Sequence, residues 1–244
     1  MIYSLGANCA CAEYLRKHYL RKKSGPFDWI ASADVYAPFK TLVDEFRTFL
    51  DFSFLRPQPL TEALNVPVLH AQNGYLFLHD FFKIDPLEKQ QPAVLEKYQR
   101  RIGRLLEDLK SNRHILFCWY GEKAEQLCQE TVLDYIGQIR KKYPAPIDFL
   151  FVIYDKKQIK PVVADIAPGV TWHALPWAHT TQRKEGCLLW DIQAVGPIFK
   201  TLHVTHYKKT PLRVARGVFY RILAAFIWNR TKRHMFLEGK LKDN

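Results

Sequence analysis

Nowhere in the 244 residues does an apolar run approach the ~20 residues a membrane-spanning helix needs; the longest unbroken stretch is 222–228. The opening residues lack a basic stretch followed by an apolar core and a small-residue cleavage site, so no secretory signal is expected there. Cysteines are few and odd in number: Cys9, Cys11, Cys118, Cys128 and Cys187. Wide, unpaired spacing of this kind suits reduced thiols in a cytoplasm better than a disulfide framework. Cys9 and Cys11 form C-x-C, but no second Cys or His pair stands at zinc spacing, so no metal site is expected. Gly-x-Gly-x-x-Gly, a Walker loop, His-Glu-x-x-His and Gly-x-Ser-x-Gly are all absent. Nucleotide cofactors and zinc proteolysis therefore have no motif to rest on, and no cofactor is required. Coenzyme A, whose sites vary, stays compatible as an acyl donor.

What is present is an ordinary globular composition, 48% hydrophobic and 25% charged, without repeats or low-complexity tracts. The net charge of +12 is unevenly placed. From Tyr207 onward ten basic residues face two acidic ones, so +8 of the +12 lies in the last 38 residues. This division predicts a single α/β catalytic domain over 1–206 and a basic amphipathic helical tail over 207–244.

Along the chain, 2–5 reads as a short buried strand, 6–8 as its turn and 10–20 as a helix. A helix is expected over 34–50, and a hairpin joins strands at 66–69 and 75–78 through Asn73-Gly74. Helices follow at 92–109, 123–141 and 192–202, alternating with strands at 114–119, 147–153 and 170–175. Apolar strands alternating with long helices imply a three-layer α/β fold, its mostly parallel sheet covered on both faces. Ligands in such sheets sit beyond the carboxyl ends of the strands, where the loop from Gly6 to Cys9 lies.

Cys9 stands where the first helix should begin. A thiol there feels the positive end of the helix dipole and unsatisfied N–H groups, which favour thiolate. The same N–H groups, with the Asn8 amide, could hold an oxyanion, and Gly6 would allow the tight turn that presents the sulfur. A small cysteine packed inertly at a strand–helix junction is the plain alternative. His79 follows a strand at its carboxyl end and is the candidate base. Asp80 or Asp28 could orient it, although neighbours on a strand face opposite ways, which counts against Asp80 unless the strand has ended. Asp155 is a further crevice candidate. His179, beside Pro176-Trp177 and near His173, is the reserve base. His18 lies about 13 Å of helical rise from Cys9 and is a weaker choice.

Three fragments occur in order: Ser4-Leu5-Gly6-Ala7-Asn8-Cys9; Leu15-Arg16 followed by Ser24-Gly25-Pro26-Phe27-Asp28-Trp29-Ile30; and Phe77-Leu78-His79-Asp80-Phe81. In these the chain resembles a bacterial family of unknown function described as putative papain-like cysteine peptidases, over about the first 120 residues. The resemblance implies a Cys–His enzyme with Cys9 as nucleophile and His79 as base, Asp28 and Asp80 falling on motif positions. It also implies a papain-like α+β fold, in which the cysteine helix meets an antiparallel sheet, as the alternative to the three-layer reading. The Asn8-Cys9 pair after a first-strand glycine is similar, more weakly, to bacterial polysaccharide acyltransferases.

Three functions follow. The first is a cysteine hydrolase (peptidase or amidase) forming a thioester at Cys9. The second is an acyltransferase that modifies a cell-surface polysaccharide precursor from acyl-CoA. The third is a non-catalytic protein that binds a ligand or docks on a membrane. The substrate would be a small molecule, a peptide or a glycan. In residues 211–229 arginines interleave with Leu212, Val214, Val218, Phe219, Ile222, Leu223, Phe226 and Ile227. Such a helix can lie on an anionic membrane, which would make the protein cytoplasmic but peripheral at the inner face, or it can pack on the body. Nucleic acid ranks last as a partner, because the tail contains no recognisable binding module.

Overall fold

The computed structural model describes the chain except residues 8, 60–63, 122–125, 156, 177–180, 183–187, 190–196, 200–210, 228–231, 234–235 and 237–244. Its first half contains β1 (Ile2–Ser4), α1 (Ala10–Lys17), β2 (Ile30–Ser32), α2 (Ala37–Val43), β3 (Leu55–Pro57), β4 (Val68–His70), β5 (Tyr75–Phe77) and α3 (Leu87–Leu109). Then come β6 (Ile115–Gly121), α4 (Gln129–Lys142), β7 (Ile147–Asp155), β8 (Val162–Ala167) and β9 (Val170–Pro176). A short pair, β10 (Thr181–Gln182) and β11 (Leu188–Leu189), precedes α5 (Pro211–Ala225).

The larger sheet has the order β1-β6-β7-β9-β8. Its first four strands are parallel, and β8 returns antiparallel on β9 at the edge. Every residue of β6 is buried, as a strand covered on both faces requires. Because side chains alternate, Tyr3, Phe117, Trp119, Phe149 and Phe151 enter one core with Phe39 of α2, Tyr98 of α3 and Ile136 of α4. Ile2, Leu116, Cys118, Leu150 and Val152 enter the other, with Cys11, Tyr14 and Leu15 of α1 and with Ile198 and Phe199. The parallel-dominated α/β sheet with helices on both faces is therefore what forms.

A second, antiparallel sheet has the order β2-β5-β4-β3. Its hairpin turns where expected, with Gly74 at φ 70°. Phe27, Phe49, Tyr75, Phe77 and Tyr98 interlock there, with ring centroids 5.1–6.4 Å apart. Each fully buried ring contributes about 1.5–3 kcal/mol. The three-layer reading describes the larger sheet; the antiparallel sheet of the papain-like alternative also forms, but the cysteine helix packs on the parallel one.

The helix expected over 34–50 stops at Val43, because Glu45 and Phe46 adopt positive φ and turn the chain. Phe46 and Phe49 still reach the core, from turns rather than from a helix. The first helix likewise ends at Lys17, with Tyr19 at φ 57°. By contrast α3 begins five residues earlier than expected and carries Pro92 inside it. The exposed edge strand β8 was not anticipated, and most of the helix expected over 192–202 lies outside the described residues.

Candidate active site

The first loop lies at the carboxyl edge of the parallel sheet. Leu5 N–H donates to Cys118 O at 2.8 Å, continuing the β1 ladder. Gly6 then turns at φ 52°, its N–H donating to Ser4 Oγ at 3.1 Å. This is the left-handed backbone that favours glycine. Asn8, expected to help hold an oxyanion, lies outside the described residues. Cys9 is half-buried, belongs to no disulfide and occupies the N-cap of α1. Its carbonyl accepts from Glu13 N–H at 2.9 Å, while its side chain makes no capping bond.

The spacing of α1 decides which way Cys9 faces. Ala10, Cys11, Tyr14 and Leu15 are buried against the sheet. Cys9, Glu13 and Arg16, at i, i+4 and i+7, share another side. Arg16 pairs with Glu13 at 3.1 Å, and its guanidinium lies over the Trp29 ring at 5.8 Å from the centroid. Arg21 covers the same ring at 5.3 Å. The Trp29 ring in turn meets the His79 ring edge-on at 6.1 Å. His79 is half-buried in the segment that follows β5. Trp29 thus links the Cys9 side of α1 to His79.

The two candidate carboxylates have other partners. Buried Asp28 pairs with Arg21 and accepts from Gly25 N–H at 2.9 Å. Asp80 accepts from Tyr98 Oη at 2.8 Å and pairs with Lys97. Burial acts to raise the Asp80 pKa, but the charges of Lys97 and Arg101 and the bonds from Lys97 and Tyr98 outweigh it and hold the carboxyl below its ordinary value. Each aspartate precedes or follows a site residue in sequence: Asp28 before Trp29, Asp80 after His79. Each therefore anchors the backbone beside that residue.

Asp155, at the end of β7, accepts from Lys157 N–H at 2.8 Å and so shapes its own turn. His173 is buried on β9, three strand spacings or about 14 Å from β1. His179 lies outside the described residues. His18 ends α1, its ring tilted against that of Tyr14 with centroids 4.3 Å apart. Beside the Gly6–Ala7 turn is a slight hollow of about 10 Å³, lined by Leu5, Phe27, Ile30, Pro38 and Tyr75, among others. No group of three or more metal-ligating side chains occurs among the described residues.

Residues 1–158 match the model of a family described as "Putative papain-like cysteine peptidase (DUF1796)". The chain belongs to this family. An uncharacterized protein of Acanthamoeba polyphaga mimivirus is 27% identical over 156 residues, covering 56% of this chain and 68% of that protein. A tRNA-cytidine(32) 2-sulfurtransferase of Xylella fastidiosa is 28% identical over 95 residues, covering 38% of this chain and only 27% of that enzyme. No solved structure matches the chain. The first of these relatives is viral and the second, although bacterial, matches only a short part of each chain, so the expected bacterial source is not supported, and neither supports kinship with polysaccharide acyltransferases.

The matched region of this family contains Cys9, Asp28, Trp29, His79 and Asp80. Sequence reasoning missed Trp29 as the link, although Pro-Phe-Asp-Trp had drawn attention to its neighbour. It also missed Cys128, which is exposed at the N-cap of α4. Hydrogen bonds from the Thr131 backbone and side chain lower the Cys128 pKa. A helix expected from 123 hid this place, because α4 begins only at Gln129.

Proposed function

We propose that the chain is a cysteine hydrolase of peptidase or amidase type, with Cys9 as nucleophile and His79 as general base and acid. What carries the reading is the placement of Cys9 at the start of α1, on the helix side that Arg16 and Trp29 connect to His79. His79 takes the thiol proton, and the Cys9 sulfur attacks a substrate carbonyl carbon. First-turn N–H groups of α1 hold the resulting oxyanion. As the C–N bond breaks, His79 returns the proton to the leaving amine, leaving a thioester on Cys9. Water, deprotonated by His79, then hydrolyses the thioester to a carboxylate and frees the thiol. Asp28 and Asp80 are positioning residues in this scheme, holding Trp29 and His79 through the backbone.

The test is an electrophilic peptide epoxide followed by intact mass and peptide mapping. The expected adduct falls on Cys9, survives Cys128→Ser, and disappears in Cys9→Ser. His79→Gln should slow its formation by about 10²–10⁴-fold. An adduct that follows Cys128 instead, or a rate indifferent to His79, would overturn the assignment.

A further inference from the structure

Helix α5 turns its apolar side outward. Val218, Phe219, Ile222, Leu223 and Phe226 recur at spacings of three and one, which lines them along one side of the helix and the turn that ends it. Phe226 is 83% exposed and the other four are 39–55% exposed. Ala224, away from that stripe, is buried. Had the helix simply packed on the body, the stripe would be the covered side. No acidic residue occurs from 207 through 237, whereas Lys208, Lys209, Arg213, Arg216, Arg221, Arg230, Lys232 and Arg233 all do. Arg221, on the helix itself, is exposed.

An outward apolar stripe within an exclusively cationic segment fits one kind of surface, apolar beneath and anionic above. We propose that α5 lies in the interface of an anionic lipid membrane, with Phe219, Ile222 and Phe226 among the acyl chains and the basic residues on the headgroups. The helix is about 22 Å long, shorter than the ~30 Å hydrocarbon layer, and no described helix is long and apolar enough to cross it. It therefore lies in the plane. A partner protein's groove would also accept the apolar residues, but it would not call for so unbroken a run of positive charge.

The experiment uses the full chain in flotation with vesicles of equal parts phosphatidylglycerol and phosphatidylcholine, or of phosphatidylcholine alone. The protein should float with the first, stay behind with the second, and be released by salt. Phe219→Asp/Ile222→Asp/Phe226→Asp, at exposed positions, should abolish flotation while leaving the circular dichroism unchanged. Arg213→Gln/Arg216→Gln/Arg221→Gln should weaken binding by roughly a hundredfold, at about fivefold per basic residue. Equal flotation with both vesicles would overturn the proposal. So would absence of flotation together with a wild-type dimer, by light scattering, that the triple Asp variant makes monomeric; that result would assign the stripe to a second copy of the chain.

Discussion

Asp80→Asn should be the most informative single substitution beside the site. The Asp80 side chain is 3% exposed and pairs with Lys97, with Tyr98 Oη at 2.8 Å and the charge of Arg101 nearby. Asparagine keeps the volume and can still accept a bond, but it leaves the Lys97 and Arg101 cations together without their anion. Removing one member of a buried pair costs about 3–5 kcal/mol, roughly 6–20 °C in Tm for a chain of this size. Urea unfolding at neutral pH measures the loss. Adding Lys97→Met should recover part of it, since the two residues act on one another. The pH dependence has a definite sign. Asp80 is held below its ordinary pKa, so its contribution is fully present above the unfolded value of about 3.9 and fades as pH falls through the folded one. The gap between wild type and variant should therefore narrow from pH 5 towards pH 3. A loss under about 1 kcal/mol, or a gap that stays constant with pH, would refute the reasoning.

Four thiols can be ranked from their surroundings. Burial pushes Cys11 up to about 12 and Cys118 well above its ordinary value, while Cys128 is lowered. Iodoacetamide on the native protein should therefore modify Cys9 and Cys128 and spare Cys11 and Cys118; rapid native labelling of Cys11 would contradict the packing of α1. Gly6→Ala forces a side chain onto φ 52° and should cost about 1–2 kcal/mol, with slower labelling of Cys9 and unchanged labelling of Cys128 as the sign that the loop, not the fold, has moved. His70 is fully buried and its pKa is lowered by that burial. Below pH 6.5 the unfolded chain binds a proton the folded one resists, so stability should fall by up to about 1.4 kcal/mol per pH unit, and His70→Gln should flatten the slope between pH 7 and pH 5.

Length and periodicity made part of this molecule legible. In β6 and β7 apolar runs continue for most of a strand, and α3 has a stripe of buried residues through Tyr98, Ile102, Leu105 and Leu109. Of the antiparallel sheet the β4–β5 hairpin was legible through Asn73-Gly74, whereas β2 and β3, three residues long and without such a turn beside them, were not. Beyond Val43 apolar spacing misled, because Phe46 and Phe49 are wanted in the core from a reversing backbone. Cys9 and Gly6 could be singled out since a turn and a helix start are local events. The partners of Asp28 and Asp80 could not, because which cation meets a buried carboxylate is decided by how α1 and α3 pack.

In the proposed mechanism Cys9 and His79 stand on different sheets, and Trp29 is the contact that would align them. Cys9 belongs to a helix on the parallel sheet, whereas Trp29 and His79 flank the antiparallel one. Near the first loop Ser32 N–H reaches Ala7 O at 3.4 Å, Arg104 donates to Ser24 O at 3.1 Å, and Leu5 shares one apolar core with Phe27, Ile30 and Tyr75. Gly25 belongs to the same junction, for a Cβ there would lie 3.0 Å from the Tyr3 ring. Trp29 adds two guanidinium contacts on one side and His79 on the other. Trp29→Ala would open a cavity and cost about 3–5 kcal/mol, so loss of reactivity there would be ambiguous. Trp29→Phe keeps an aromatic ring but shortens the platform, giving up about 0.5–2 kcal/mol for each weakened cation contact. If Trp29 aligns the two halves, this variant should unfold cooperatively yet show slower Cys9 alkylation and a displaced pH profile. Unchanged alkylation at every pH would mean that Cys9 and His79 are aligned by something else, and that the tryptophan serves packing alone.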